Sequence, residues 1–210
     1  MNDSVFHGGR RRTRPWIWIA VGLLAGCAAS QPVHFHTLMP AAESGNTKPP
    51  RPAFLIDLRP VGAPEEANRQ PFLLRSGSAV SLIESERWAA PLDDELRSAM
   101  SARLTHELGT EDIGDHTLSS DNPVLSIRID VQRFDAVFAD HVSIDASWTM
   151  RFALGDRPDA VCSSEQRVAV ESGYDALVEG YGKLLDELAV SIASSARGFV
   201  NRSSRSCTDL

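Results

Sequence analysis

The sequence lacks the motifs that carry most enzyme chemistry. It has no glycine-rich phosphate loop and no Gly-x-Ser-x-Gly nucleophile turn. Its cysteines number only three, and those outside the N-terminal region are too far apart in sequence for a metal site or a redox pair. Ser, His and Asp are present, but no spacing arranges them as a hydrolase triad. We therefore expect no catalytic residue, no cofactor and no metal, and predict a protein that is not an enzyme.

Long apolar segments are scarce as well. The run from Trp16 to Leu24 is shorter than the roughly 18 to 20 residues that span a bilayer. It follows four arginines and precedes small residues, which is the order of a secretory signal peptide. The tetrapeptide Leu24-Ala25-Gly26-Cys27 resembles the lipobox that lipoprotein signal peptidase recognises. Residues 1–26 are thus predicted to be a signal peptide and Cys27 a lipidated N-terminus; the alternative is an ordinary cleaved signal that happens to end near a cysteine.

Basic residues are in the minority. The chain has 21 basic and 28 acidic residues, and loss of the signal peptide would leave 17 and 27. This acidic balance excludes nucleic acid as a partner and excludes binding to anionic headgroups by charge alone. Acyl chains contribute about 0.8 kcal/mol per buried methylene, so the lipid itself would anchor the protein. Because Ala28 and not Asp follows Cys27, the outer membrane is the expected location.

The remaining 184 residues suffice for one domain. We divide them into residues 27–52, with the lipidated cysteine, a short apolar stretch and a linker; residues 53–200, the domain; and residues 201–210, a polar tail. The linker, rich in Pro, Gly and Ser or Thr after Met39, is expected to let the domain stand off the membrane.

Apolar periodicity predicts the elements of the domain. The expected strands and helices are a strand at 54–58, a hairpin at 72–84, a helix at 91–108, strands at 125–132 and 142–154, a shorter strand at 166–171 after a loop at 155–164, and a helix at 174–199. In the last helix, Gly180 and Gly182 should weaken the first turns. These elements predict an α+β fold, a two-layer sandwich with a mostly antiparallel sheet and two long helices on one face.

A few polar residues outside these patterns invite a functional interpretation. His34 and His36 would share one face of a strand, where a short strand or linker near the membrane is a commoner explanation than a metal site. The acidic clusters at 84–86 and 93–95 are interpreted as a solvated edge and a helix start, not as an acid/base pair. Cys162 and Cys207 would meet an oxidising compartment and could form a disulfide, the alternative being two unpaired thiols.

Three stretches resemble the ABC-type transport auxiliary lipoproteins, the PqiC-like subunits of MCE intermembrane lipid transport systems. Residues 35–38 (Phe-His-Thr-Leu) are similar to that family's aromatic-x-Thr-Leu strand, and 68–75 (Asn-Arg-Gln-Pro-Phe-Leu-Leu-Arg) to its Asp-Arg motif. Residues 86–92 (Glu-Arg-Trp-Ala-Ala-Pro-Leu) are similar to its Trp-Ala-x-Pro-Leu start of the first long helix. Ala67 and Asn68 depart from the family, which usually has a bulky residue and Asp there.

The resemblance implies a non-catalytic subunit on the outer membrane that docks a periplasm-spanning MCE-domain protein, with a permease and an ATPase in the inner membrane and possible homo-oligomers. Trp88 would be a core residue or an interface anchor, core packing being favoured. Arg69 and Arg75 would be paired structural charges or partner contacts. The hairpin at 72–84 or the sheet edge would bind the partner or a second copy. Competing interpretations are an envelope-assembly or lipopolysaccharide-binding lipoprotein and a periplasmic hydrolase.

Overall fold

The computed structural model describes residues 32–41, 52–114, 122–154 and 157–201. Within these ranges it contains seven strands and two helices. Their bounds are β1 His34–His36, β2 Leu55–Leu58, β3 Pro71–Ser76, β4 Ala79–Trp88, α1 Leu92–Leu108, β5 Val124–Val137, β6 His141–Phe152, β7 Ala160–Ala169 and α2 Tyr174–Val200.

The strands form one open sheet in the order β1-β4-β3-β5-β6-β7, with β2 also paired to β5. The pairs β3–β4, β5–β6 and β6–β7 are antiparallel, whereas β1–β4, β2–β5 and β3–β5 are parallel. β5 is long enough to take two neighbours along one side. Leu55 of β2 pairs with Val124 at its start, and Leu74 of β3 pairs with Ala136 near its end. The α+β prediction is confirmed, with a sheet of mixed strand direction.

A bulge lets β5 keep one face in the core over its whole length. Alternate residues from Leu125 to Val131 are buried, and burial then resumes at Phe134 and Ala136, one position out of phase. The register with β6 shifts between Val131 and Arg133. Because a bulge adds one unpaired residue, both buried runs face the same side. The strict alternation of apolar and polar residues ends at the bulge. The sequence therefore predicts a strand that ends at residue 132, five residues before its observed end at Val137.

The two helices follow their apolar periodicity. α1 begins directly after Pro91 and ends at Gly109, whose left-handed conformation (φ 62°) closes the helix. α2 packs against α1 and against β6 and β7, so one hydrophobic core lies between the helices and the sheet. Neither helix of the described chain combines the length and the apolar character that crossing a bilayer requires.

β7 is longer than its prediction and begins earlier. Its first half, residues 160–164, falls in the predicted loop, yet it pairs with β6 from Met150 onward. Ala160 and Cys162 are buried while Ser163 is exposed. Because these small residues differ little in hydrophobicity, their alternation between core and solvent leaves no clear apolar pattern in the sequence.

The first strand belongs to the sheet. β1 pairs with Glu86–Trp88 of β4, so the chain after Met39 connects two strands of one sheet, β1 and β2, and does not separate the N-terminus from the domain. This connector therefore does not act as the flexible tether that was expected to hold the domain away from the membrane. Most of the predicted linker, residues 42–51, lies outside the described ranges.

Gly180→Ala is expected to destabilise the protein although alanine favours helices. An added Cβ would lie 2.4 Å from a Val170 methyl and 2.9 Å from a Val142 methyl. Displacing these side chains should cost about 1 to 3 kcal/mol. Gly182→Ala is the matched control, because its nearest neighbour is the Arg103 guanidinium at 3.9 Å and the helix gains up to about 1 kcal/mol. Thermal unfolding should shift in opposite directions; a stabilised Gly180→Ala would contradict the packing argument.

Candidate functional site

A buried carboxylate on β4 binds both histidines of β1. Glu86 is only 4% exposed. It accepts hydrogen bonds from His36 Nε2 at 2.7 Å and from His34 Nδ1 at 3.1 Å. The parallel register places His34 beside Glu86 and His36 beside Trp88, so both rings lie on the same side of β1, as predicted. The interpretation of residues 84–86 as a solvated edge is wrong for Glu86, because the distant strand β1 covers it.

The environment of Glu86 favours its ionised form. Burial alone would raise the pKa of this carboxyl group, but the hydrogen bonds from His36 and His34 and the attraction of the two rings outweigh burial. The pKa of Glu86 therefore lies below its ordinary value of 4.5.

A second buried carboxylate, at the start of α1, holds the residues that follow β1. Glu95 accepts a hydrogen bond from the Thr37 hydroxyl and another from the backbone N–H of Leu38, both at 2.9 Å. The prediction of a helix start at 93–95 is confirmed. Glu95, however, is turned inward, with 6% of its surface exposed.

A buried arginine completes this arrangement. Arg103 donates to the Leu38 carbonyl at 2.9 Å and to Asp186 of α2 at 2.7 Å. We refer to Glu86, Glu95 and Arg103, together holding residues 34–38, as the N-terminal clasp. It was not predicted, although the sequence carries a signal for it, because Glu95 and Arg103 fall beside the apolar stripe of α1, where a buried charge needs a partner.

Glu86→Gln should show a pH-dependent loss of stability. The depressed pKa of Glu86 means that its ionised form stabilises the fold above about pH 4.5 and that this contribution disappears as the pH falls through the folded-state value. At neutral pH the variant should be less stable by about 1 to 2 kcal/mol. Urea unfolding at a series of pH values measures the difference, which should shrink as the pH falls below about 4.5 and Glu86 takes up its proton. Glu84→Gln, at an exposed position, is the control; a difference that persists undiminished well below pH 4.5 would contradict the assignment.

Trp88 lies in the core. Its exposure is 3%, and its ring centroid is 4.3 Å from that of Phe72, 6.2 Å from Phe134 and 6.0 Å from Tyr181. Phe134 and Tyr181 also stack on each other at 4.0 Å. Trp88 is thus a packing residue of the folded domain, and its side chain is not presented to a partner.

The polar residues of the stretch 68–75 are either held by contacts within the fold or exposed to solvent. Arg75 donates to Glu66 and to Asp135, each at 3.0 Å, and these contacts raise its pKa. The Asn68 side chain accepts a hydrogen bond from the backbone N–H of Asp93 at 3.1 Å, one of the N–H groups in the first turn of α1 that have no partner within the helix. The Arg69 residue itself is exposed. Arg69 is thus the most exposed of the three suggested partner contacts, Arg69, Arg75 and Trp88.

The cysteines are only partly described. Cys162 is buried, opposite Trp148 in the sheet, and is disulfide-bonded. Cys207 lies outside the described residues, so the pairing of Cys162 with Cys207 stays a prediction. The lipidation site, Cys27, also lies outside them.

A shallow polar depression lies on the sheet face opposite the helices. Asp135, His141 and Ser143 line it together with arginines. Asp135 accepts a hydrogen bond from Arg75 and lies 3.8 Å from Arg133, while His141 lies 3.1 Å from Asp140. Asp135 is thus held by arginines and does not orient the histidine. Among the described residues, no group of three or more His, Cys, Asp or Glu side chains could hold a metal ion.

Comparison with solved structures shows the same fold elsewhere. An uncharacterised protein aligns with a TM-score of 0.62 and 18% identity, covering 79% of this chain and 99% of its own. Protein XCC0632 from Xanthomonas campestris aligns with a TM-score of 0.60 and 14% identity, covering 81% of this chain and 100% of its own.

Comparison at the level of sequence is more specific. A search of curated proteins finds none that matches the chain. The sequence model of one family, however, matches residues 36–193, from β1 into α2. This range contains Arg69, Trp88 with its aromatic neighbours, and the three charged residues of the N-terminal clasp. The chain belongs to the family described as the ABC-type transport auxiliary lipoprotein component.

Proposed function

We propose that the protein is an outer-membrane lipoprotein that docks the periplasm-spanning MCE protein of an intermembrane lipid transport system. Cys27 carries the lipid, and an inner-membrane permease and ATPase supply the energy. The subunit itself performs no catalysis. The observation that carries the proposal is the family match over residues 36–193 in a chain whose residues 24–27 have the form of a lipobox.

The fold agrees with a binding role. Four charged side chains of the described chain are used for structure, since Glu86, Glu95 and Arg103 hold the N-terminal residues and Arg75 joins β3 to β5. Arg69 differs from them because it is exposed in the loop before β3. We assign this loop to the docking surface, where a rim arginine would attract an acidic partner.

Arg69→Glu should reduce capture of the partner. In cells that produce the lipidated protein, crosslinking followed by identification of the captured proteins should recover an MCE-domain protein with the wild type and less of it with this variant. Arg128→Glu is the matched control, because Arg128 is an exposed arginine on β5 and makes the same change of charge. Equal capture by both variants would remove Arg69 from the interface, and capture of lipopolysaccharide-assembly proteins instead would contradict the proposed function.

The anchor can be tested in the same cells. Cys27→Ser removes the thiol that accepts the diacylglycerol, so the variant should take up no labelled fatty acid and should leave the membrane fraction. A variant that is still labelled and still sediments with membranes would contradict lipidation at Cys27.

A further inference from the structure

Strand pairing brings three separate stretches of the sequence together beside β1. Within the described chain β1 pairs with β4 alone, so its other side is an open edge of the sheet. Phe35 lies beside Arg87 of β4, and Arg87 in turn lies beside Pro71 at the start of β3. Arg69 precedes Pro71 by two positions, in the loop that leads into β3. We call Val33, Phe35, Arg69, Pro71 and Arg87 the edge surface.

Phe35 points away from the hydrophobic core. His36 lies beside Trp88 in the register, and Trp88 is buried between the sheet and the helices. Because successive side chains of a strand alternate between its two faces, Phe35 and Arg87 belong to the opposite face. Phe35 is 63% exposed there, and Val33, two positions earlier, is 41% exposed. The free energy that burial of an aromatic ring provides is therefore still available to a partner.

The fold accounts for most side chains of the three motif stretches but not for Phe35 and Arg69. Trp88 fills the core, Arg75 binds two carboxylates, and Thr37 donates to a buried carboxylate. Within the part of the chain that the structure describes, Phe35 stacks on no other ring and the Arg69 guanidinium has no carboxylate partner. Two motif residues that are distant in the sequence thus leave unused side chains on one surface.

The composition of the edge surface fits a protein partner better than a bilayer. Protein interfaces typically have an apolar centre and a polar rim, and aromatic residues and arginine are enriched in them. Phe35 provides such a centre, and Arg69 and Arg87 provide a basic rim. A membrane contact requires a broader apolar area, whereas Arg87 and its ion-pair partner Glu84, 2.9 Å away, lie next to the ring. The complementary surface is an apolar one that carries carboxylates.

We infer that the edge surface contacts the MCE-domain protein, with Phe35 packed against apolar side chains of an acidic segment of that partner and Arg69 facing its carboxylates. This inference rests on the proposed function and adds an aromatic centre to the loop already assigned to docking. Cys27 precedes Val33 by six positions, which is at most about 22 Å of extended chain. The partner is therefore bound within a short reach of the lipidated cysteine.

A photocrosslinker at position 35 tests the contact directly. Phe35 is replaced by p-benzoylphenylalanine in the lipidated protein, in cells that also produce the MCE-domain protein. The same replacement of Phe138 is the matched control, because this phenylalanine is 43% exposed and lies in the turn between β5 and β6. Irradiation should join position 35, and not position 138, to the MCE-domain protein. A product with a second copy of this chain, a product with lipid alone, or no product from position 35 would each overturn the inference.

Phe35→Ala measures how much the ring contributes to binding. Capture of the MCE-domain protein should fall about tenfold, because a central aromatic residue contributes strongly to an interface. Phe138→Ala should capture as much as the wild type. Urea unfolding of both variants verifies that they are folded, so that a lost contact is not confused with a lost structure.

The wild type separates the two possible failures. If the wild type captures the MCE-domain protein and Phe35→Ala captures it equally well, the edge surface is wrong and the proposed function stands. If the wild type captures no MCE-domain protein, the proposed function is wrong and the inferred contact falls with it.

Discussion

Trp88→Ala should lower the free energy of unfolding by about 3 to 5 kcal/mol. The indole fills the space between Phe72, Phe134 and Tyr181, and the helices and the sheet enclose it on all sides. Removal leaves a cavity that the stacked pair of Phe134 and Tyr181 can close only in part, so the lost contacts and the cavity both count against the folded state. Urea unfolding of residues 28–210, followed by circular dichroism, measures the change.

A matched aromatic residue provides the control for Trp88. Phe35→Ala removes a side chain that is 63% exposed and should change stability by no more than about 0.5 kcal/mol in the absence of lipid. A cost below about 1 kcal/mol for Trp88→Ala would contradict the core assignment. The expected instability also means that poor capture of a partner by Trp88→Ala would report unfolding and not a lost contact, which is why exposed Arg69 is the better probe.

Arg103→Ala should cost about 2 to 4 kcal/mol. Its guanidinium joins three parts of the chain, since it donates to the Leu38 carbonyl, to the Ala99 carbonyl and to Asp186. Without the guanidinium, the buried Leu38 carbonyl loses a charged hydrogen-bond donor, and this loss accounts for most of the expected destabilisation. Asp186 is 65% exposed in its side chain and can regain water, so the cost stays below that of breaking a fully buried ion pair.

Two measurements distinguish the clasp from a surface ion pair. Arg128→Ala removes an exposed arginine that lies 3.5 Å from Asp130 and should cost less than about 0.5 kcal/mol. Hydrogen exchange should accelerate at the Leu38 amide in Arg103→Ala but not in Arg128→Ala, because only the first substitution loosens the residues after β1. Equal stability and equal exchange in the two variants would show that Arg103 does not hold the N-terminus.

The sequence predicts those elements whose apolar pattern is local and uninterrupted. α1, α2 and β6 have long runs with one constant period, so their burial follows directly from residue spacing. The early part of β7 and the end of β5 were missed for different reasons. In β7 the residues are small, and in β5 a bulge changes the phase of an otherwise clear alternation.

The N-terminal clasp illustrates what a local pattern cannot provide. Glu86 is fifty positions from His36, and Glu95 is more than fifty from Thr37, so no spacing rule connects them. The burial of a charge on α1 could have been foreseen from the apolar stripe, but its partner could not. The motif residues Arg75 and Trp88, for which the sequence left structural and partner roles open, make contacts within the fold.

The bulge in β5 is a point where that strand can lose one residue without turning its core face outward. Loss of residue 132 or 133 would leave a regular strand in which Phe134 and Ala136 still face the core. Loss of one residue between Leu125 and Val131 would instead turn the strand around on one side of the gap. Single-residue deletions among relatives should therefore occur at the bulge and in the connectors, and not in the rest of this strand.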